Sequence, residues 1–209
     1  MSTRPVLLVA VLAAIAVAVV AFVAATRGGT DPVLGSTPDF TFRIAKATGT
    51  SAVEGSKERE FDDAAMAAAT RVEPVLATLY AEAFLDPENS SRGIYDAVWT
   101  VFDADALPDA QAAIETLTLG TLGPGFDDVE PGDGVLRARV FFDVNGEPAL
   151  LAADVVFTAT ATSGDAAPAT IVSRGEYLLR ESGGLWRIVA FRVDRADEGL
   201  PAPSASDAA

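Results

Sequence analysis

The chain of 209 residues has no cysteine and no histidine, and among its 15 basic residues only Lys46 and Lys57 are lysine. Without cysteine there is no disulfide framework, no thiolate nucleophile or thiolate metal site, and no thiol for a lipoprotein to acylate. That absence fits an oxidising exterior, and it fits many reducing compartments as well. Without histidine the commonest general base and metal ligand at neutral pH is missing, so catalysis would fall to a carboxylate, Tyr, Ser or Lys. Positive charge is scarce too: 15 Lys and Arg stand against 30 Asp and Glu, for a net charge of -15. Nucleic-acid binding draws on Lys and Arg to neutralise phosphates, so no nucleic-acid partner is expected. Broad adhesion to anionic lipid heads is disfavoured for the same reason. The excess acid keeps the chain soluble through self-repulsion. There is also no phosphate-cradling Gly loop and no serine with an imidazole partner. No cofactor and no resident metal are expected.

What the chain does have is one long apolar run. Val6 to Ala25, VLLVAVLAAIAVAVVAFVAA, holds no charge and is bracketed by Arg4 and Arg27. As a helix it would extend about 30 Å, the thickness of a bilayer's hydrocarbon core. A secretory signal has a shorter apolar core, about 7–15 residues, and a buried soluble helix is rarely apolar on every face. The run therefore reads as an uncleaved transmembrane helix over residues 6–26, behind a cytoplasmic flank of residues 1–5. The positive-inside count is nearly tied between Arg4 and Arg27. The short flank and the acidic remainder predict a cytoplasmic N-terminus and an extracytoplasmic C-terminal domain.

Residues 27–59 read as a linker, rich in Gly and Pro at RGGTDPVLGSTPD, with a short strand over 40–44 where Phe40, Phe42 and Ile44 alternate with polar residues. Residues 197–209, DEGLPAPSASDAA, show no apolar period and read as a disordered tail. Between them, residues 60–196 form one domain. Its first helix is predicted over 61–85, with Asp62 and Asp63 at the positive end of the helix dipole. Pro74 is expected to kink it near Ala69 and Thr70, and Asp86-Pro87 to end it. A second helix is predicted over 93–102 and a third from Pro108. Gly120 to Gly134 reads as a loop. Four strands follow, near 136–142, 150–162, 170–180 and 185–195. Asn145-Gly146 between the first two suits a tight hairpin turn. Helices followed by a meander must bury their apolar sides against each other, which predicts an α+β fold.

Three groups of residues invite a chemical reading. Tyr80, Phe84, Tyr95 and Trp99 would line an apolar pocket, although aromatics at helical spacing are also what a core uses. Asp154 is the acid to test as a general base, since burial raises a carboxylate toward neutral pH. The other face of its strand is the more apolar, which points Asp154 outward toward Arg137, Arg139 or Arg174. Asp127, Asp128, Glu130 and Asp133 are dense enough for a cation-binding loop or simply a solvated one. The acids of DADALPD (Asp103, Asp105, Asp109) fail the calcium-loop pattern, which needs Gly and Glu where Pro108 and Ile114 stand. Capping between helices is the plainer reading of them.

The helices, the LTLG turn, the long meander and a closing W-x-I-x-x-F-x-V strand (Trp186, Ile188, Phe191, Val193) together resemble the nuclear-transport-factor-two-like, or SnoaL-like, cone fold. TLYAEAFLDP, YDAVWTVFD, IETLTLG and GEYLLRESGGLWRIVAFRVDR, behind one span, resemble uncharacterised single-span envelope proteins of high-GC Gram-positive bacteria, including mammalian-cell-entry-associated membrane proteins. The resemblance covers most of Phe61 to Arg195. It implies helices packed on a curved antiparallel sheet, and a family in which enzymes use Asp, His or Tyr inside the cone while other members only bind. No catalytic residue carries over. The expected function is thus a membrane-anchored accessory or binding protein of the cell envelope, with an envelope protein or apolar ligand as partner. The alternatives are a cone-fold isomerase or hydrolase with a carboxylate base, and a structural spacer.

Overall fold

The computed structural model describes residues 40–51 and 61–198. Among these residues no helix is long and apolar enough to cross a membrane. The run Val6 to Ala25 lies outside them, as do most of the linker and all of the tail beyond Glu198.

Helices on one side and a five-stranded sheet on the other make an α+β body. The strands are β1 (Arg43–Ser51), β2 (Asp128–Phe142), β3 (Pro148–Thr162), β4 (Ala169–Ser182) and β5 (Leu185–Glu198), in spatial order β1-β2-β3-β4-β5. β2 to β5 form the expected antiparallel meander, with Leu136 opposite Val155 and Ala153 opposite Tyr177. The inward set is the one given by the alternation: Leu136, Ala138, Val140 and Phe142, then Leu151, Ala153, Val155, Phe157 and Ala159, are all buried. Because side chains alternate between faces, the outward set Arg137, Arg139, Asp154, Arg174 and Glu176 is exposed.

Several boundaries need correction. The strand expected over 40–44 runs instead from Arg43 to Ser51 and pairs parallel with β2, with Ala47 opposite Ala138. Phe40 and Phe42 precede it and are buried, so what reads as linker enters the core. The expected loop over 120–134 is a 3-10 turn over Gly120–Gly125 followed directly by β2 from Asp128. A register shift between Pro131 and Gly134 lets the Gly- and Pro-rich stretch stay in the sheet. β5 reaches Glu198, so Asp197 belongs to the sheet rather than to the tail.

The long helix α1 spans Asp62–Tyr80 and continues as a π-helical turn over Ala81–Leu85. It passes through Pro74 without interruption. Pro74 and Thr70, whose carbonyl loses a donor to the proline ring, are both exposed, so water can satisfy that carbonyl. The π turn closes with the Asp86 amide donating to the Ala81 carbonyl at 2.9 Å, and Ala81, Ala83, Phe84 and Leu85 are buried along it. Asp86, extended at φ -77° and ψ 113°, ends this helix as expected and at once starts another. Its carboxylate accepts from the amides of Glu88 and Asn89 at 2.7 and 3.2 Å and so caps α2 (Pro87–Arg92).

Gly93, at φ 63°, terminates α2 where a helix over 93–102 was predicted. Only a 3-10 turn, Val98–Val101, forms there. Ile94 is exposed, so the four-apart spacing of Ile94, Val98 and Phe102 is not a buried stripe. The helix expected from Pro108 is present as α3 (Leu107–Ala112) and α4 (Ile114–Leu117).

Truncation of Phe157 removes a fully buried ring from the middle of β3. Phe157→Ala is expected to lower unfolding stability by about 3–5 kcal/mol in urea denaturation, and Val156→Ala on the opposite face by well under half of that.

Candidate functional site

The space between α1 and the sheet is filled by aromatic rings. Tyr80 and Phe84 come from one face of the helix end and stack at 5.6 Å between centroids. Phe157 rises from β3 to meet them at 5.0 and 5.3 Å. Phe42 meets Tyr80 edge-on at 5.2 Å, and Phe40 meets Phe157 edge-on at 5.2 Å. Edge-to-face and offset contacts are the favourable aromatic geometries.

Three hydroxyls are buried with the rings. Tyr177 on β4 donates to the Tyr80 oxygen at 3.1 Å, and the Tyr80 oxygen lies 3.2 Å from Ser173 Oγ, two pleats along the same strand. Gly175 stands between Ser173 and Tyr177, and a side chain there would collide with the Tyr177 ring. Burial pushes both phenols above their ordinary value of 10.0, most strongly Tyr177, whose charged form the Tyr80 contact further disfavours. Serine and tyrosine bonds to Tyr80 partly offset its shift. The chain of hydroxyls therefore stays protonated at neutral pH. It offers no base, and each oxygen is satisfied by its neighbour.

A second polar cluster lies on the inward face at the far end of β5. Arg195, opposite Ser173, holds Asp197 Oδ2 at 3.1 Å through both Nε and Nη2, and Nη1 donates to the Thr118 carbonyl. The two side chains are only 9% and 19% exposed, and the second carboxylate oxygen of Asp197 is buried without a hydrogen-bond partner. Beside this pair, the Tyr95 hydroxyl donates to the Gly120 carbonyl at 3.4 Å. Burial raises the Tyr95 phenol above 10.0, with the Thr118 hydroxyl acting against it. Arg195 thus ties the LTLG turn to the last strand. The alternating pattern of VDRADE hints at it, but nothing in spacing alone sets Arg195 and Asp197 inward.

The four aromatics expected to share a pocket do not converge. Tyr80 and Phe84 belong to the ring cluster, Tyr95 to the LTLG turn, and half-buried Trp99 sits 6.4 Å from Phe102. Asp154 is exposed on the outer face, across from Arg137 and Glu176. Of the acidic group, Asp127 accepts from the Gly164 amide, while Asp128, Glu130 and Asp133 are exposed along β2 rather than gathered on a loop. Among the described residues no three acidic side chains are grouped to hold a metal ion. Asp103 accepts from the Asp105 amide at 3.3 Å, a turn-capping contact, and pairs with Arg180 at 3.3 Å.

Hollows occur on the outside of the body. One of about 310 Å³ lies where α1, the 3-10 turn at Val98–Val101 and the start of β5 meet, walled by Val75, Val101, Leu185 and Trp186. Another, of about 440 Å³, is a trough on the outer face of the sheet, floored by Ala152, Leu178 and Ala190 and edged by Arg139, Asp154, Glu176 and Arg192.

No family model and no curated protein matches the chain. Among solved structures, a protein from Novosphingobium aromaticivorans that carries the name "Putative Scytalone Dehydratase" is similar at a TM-score of 0.44 and 8% sequence identity, over 67% of this chain and 92% of that one.

Raised phenol pKa values make stability depend on alkaline pH. Below pH 10 the tyrosines are neutral in both states, and their contribution is complete. Above it the unfolded chain loses protons first, so stability falls as pH rises. Unfolding free energies measured from pH 8 to 11 are expected to fall above about pH 10, with a shallower fall in the Tyr80→Phe/Tyr177→Phe variant. Removing one partner of the inward ion pair strands the other, so Arg195→Ala is expected to cost about 3 kcal/mol in urea denaturation at neutral pH.

Proposed function

We propose that the chain is a membrane-tethered, extracytoplasmic binding protein of the cell envelope, whose acidic body is a SnoaL-like cone that works through its surface rather than by catalysis. The observation that carries this reading is the filled interior. Tyr80, Phe84, Phe157, Phe40 and Phe42 occupy the region between helix and sheet where enzymes of that fold family hold a substrate, and their rings touch. The interior hydroxyls are donors to one another, and the interior carboxylate, Asp197, is engaged by Arg195. Asp154, the carboxylate singled out as a base, faces outward.

The order of elements supports the cone assignment: one short strand, then helices, then a four-stranded meander closed by Trp186, Ile188, Phe191 and Val193. The tether rests on the uncharged run Val6 to Ala25, and the outward placement on the short flank before it. An envelope protein fits the exposed troughs better than a small apolar ligand, because both hollows are edged by charged as well as apolar side chains.

Fractionation of cells that make the full chain tests this reading. It is expected to sediment with membranes, to resist carbonate extraction, and to be digested by protease added to intact cells. Free chain in the medium beginning near Thr26, or a body shielded until lysis, would contradict it.

A further inference from the structure

The turn between β2 and β3 brings together the groups of a covalent modification. The chain has two asparagines, Asn89 and Asn145, and only Asn145 is followed by glycine. An Asn-Gly pair is where an asparagine side chain most readily reacts with the backbone, because glycine has no Cβ to crowd the nitrogen that attacks. Asn145 is exposed and Val144 beside it is 74% exposed, so water reaches the turn.

The local geometry holds the reacting groups apart. Val144, Asn145 and Gly146 join Asp143 to Glu147, and Gly146 has φ 82°, as in a three-residue hairpin connection. Asp143 is bonded to every part of this connection. Its Oδ1 accepts from the Asn145 and Glu147 amides at 2.8 and 2.9 Å, and its Oδ2 accepts from Asn145 Nδ2 at 3.2 Å. Its carbonyl accepts from the Gly146 amide at 3.1 Å. The Glu147 and Asn145 amides hold the Asp143 carboxyl below the usual carboxylate range, so it is ionised at neutral pH.

We propose that Asn145 is a latent deamidation site and that Asp143 is the residue that keeps it intact in the folded chain. In the reaction the Gly146 nitrogen loses its proton and attacks the side-chain carbonyl carbon of Asn145. A carbon–nitrogen bond closes a cyclic imide, the Cγ–Nδ2 bond breaks, and ammonia leaves with the proton that Gly146 lost. Water then opens the ring at either carbonyl and leaves aspartate or isoaspartate, with no oxidant or cofactor. Asp143 opposes the first step. Its carbonyl holds the Gly146 N–H, its negative charge disfavours the anionic nitrogen that must form, and its Oδ2 keeps the Asn145 amide turned toward itself. Asn89 serves as an internal reference. Its Nδ2 donates to the Glu82 carbonyl and carboxylate at 3.0 and 2.8 Å, and the following amide, of Ser90, donates to the Asp86 carbonyl at 3.0 Å.

This inference goes beyond the tethered-binder reading and does not depend on it. The full chain in mild detergent, incubated at mildly alkaline pH and mapped by mass spectrometry for acid and isoaspartate at Asn145 and Asn89, tests it. The folded chain is expected to react at Asn145 at least about tenfold more slowly than the chain unfolded in guanidinium. Asp143→Ala, shown by its thermal melt to be folded, is expected to react within about threefold of the unfolded rate, and Asn89 to stay intact in both folded chains. Asp143→Asn keeps an acceptor oxygen and removes only the charge, so it reads the same hold if the alanine variant does not fold. It is expected to react faster than the unaltered chain. Equal rates in the folded and unfolded chains would overturn the proposal, as would an unfolded chain that leaves Asn145 intact. Folded Asp143 variants as slow as the unaltered chain would overturn it too, since the protection would then come from elsewhere in the turn.

Discussion

Contact between the end of α1 and the middle of the sheet holds the body together, and Tyr80 is its centre. The ring touches Phe42, Phe84, Phe157 and Tyr177, drawing together the helix, the segment before β1, and β3 and β4. Each such side chain contributes roughly 1.5–3 kcal/mol by leaving water. The hydroxyl bonds to Tyr177 and Ser173 add less in net terms, about 1 kcal/mol each. Breaking one, however, would leave a buried oxygen unpaired at a cost of ~1–3 kcal/mol. Packing supplies the stability there, and the hydroxyls fix which tyrosine rotamers are allowed.

That arrangement separates the molecule into a neutral interior and charged exteriors. The ion pair of Arg195 with Asp197 sits at the end of β5 and is tied to the Thr118 carbonyl rather than to the ring cluster. Glu181 of β4 reaches across to Arg71 of α1 at 3.5 Å, while Arg137, Arg139, Asp154, Arg174 and Glu176 are exposed on the face away from the helices. A body built this way exposes its charge on the outside, around the trough over Ala152 and Leu178, where Arg139, Asp154, Glu176 and Arg192 stand together.

The meander was legible because strict alternation at Leu136 to Phe142 and Ala153 to Ala159 leaves a single choice of buried face. Asn145-Gly146 marked the place of its first turn but not its type: residues 143–147 make the connection, the Asp143 carboxylate accepts from the Asn145 and Glu147 amides, and of the dipeptide only Gly146, at φ 82°, has positive φ. Asp154 was legible as outward for the same reason. β1 was only half legible: Ala47 and Gly49 are small enough to lie buried without looking apolar, so AKATGTS resembles a loop. α2 was missed because PENSSR has no apolar stripe. It is held by its Asp86 cap and Gly93 stop, both of which read equally well as a helix ending. The expected pocket of Tyr80, Phe84, Tyr95 and Trp99 dissolved because the second helix, over 93–102, does not form: Gly93 stops α2 and only the 3-10 turn Val98–Val101 follows, so Tyr95 and Trp99 share no helical face. Four-apart counting cannot carry across that break. The ion pair of Arg195 and Asp197 was hidden by a register shift between Leu178 and Leu179, which moves the later residues of β5 by one position.

A body that acts through its surface requires an interior with no room for a guest. Diffraction from crystals of the protein held under xenon addresses that requirement directly, since a dry apolar cavity takes up the gas and a filled core does not. The expected result is no xenon between Tyr80, Phe84 and Phe157 in the unaltered protein, and an occupied site there once Phe84→Ala has opened one. Xenon at that place in the unaltered protein would contradict the account, because the rings would then line a pocket instead of closing it.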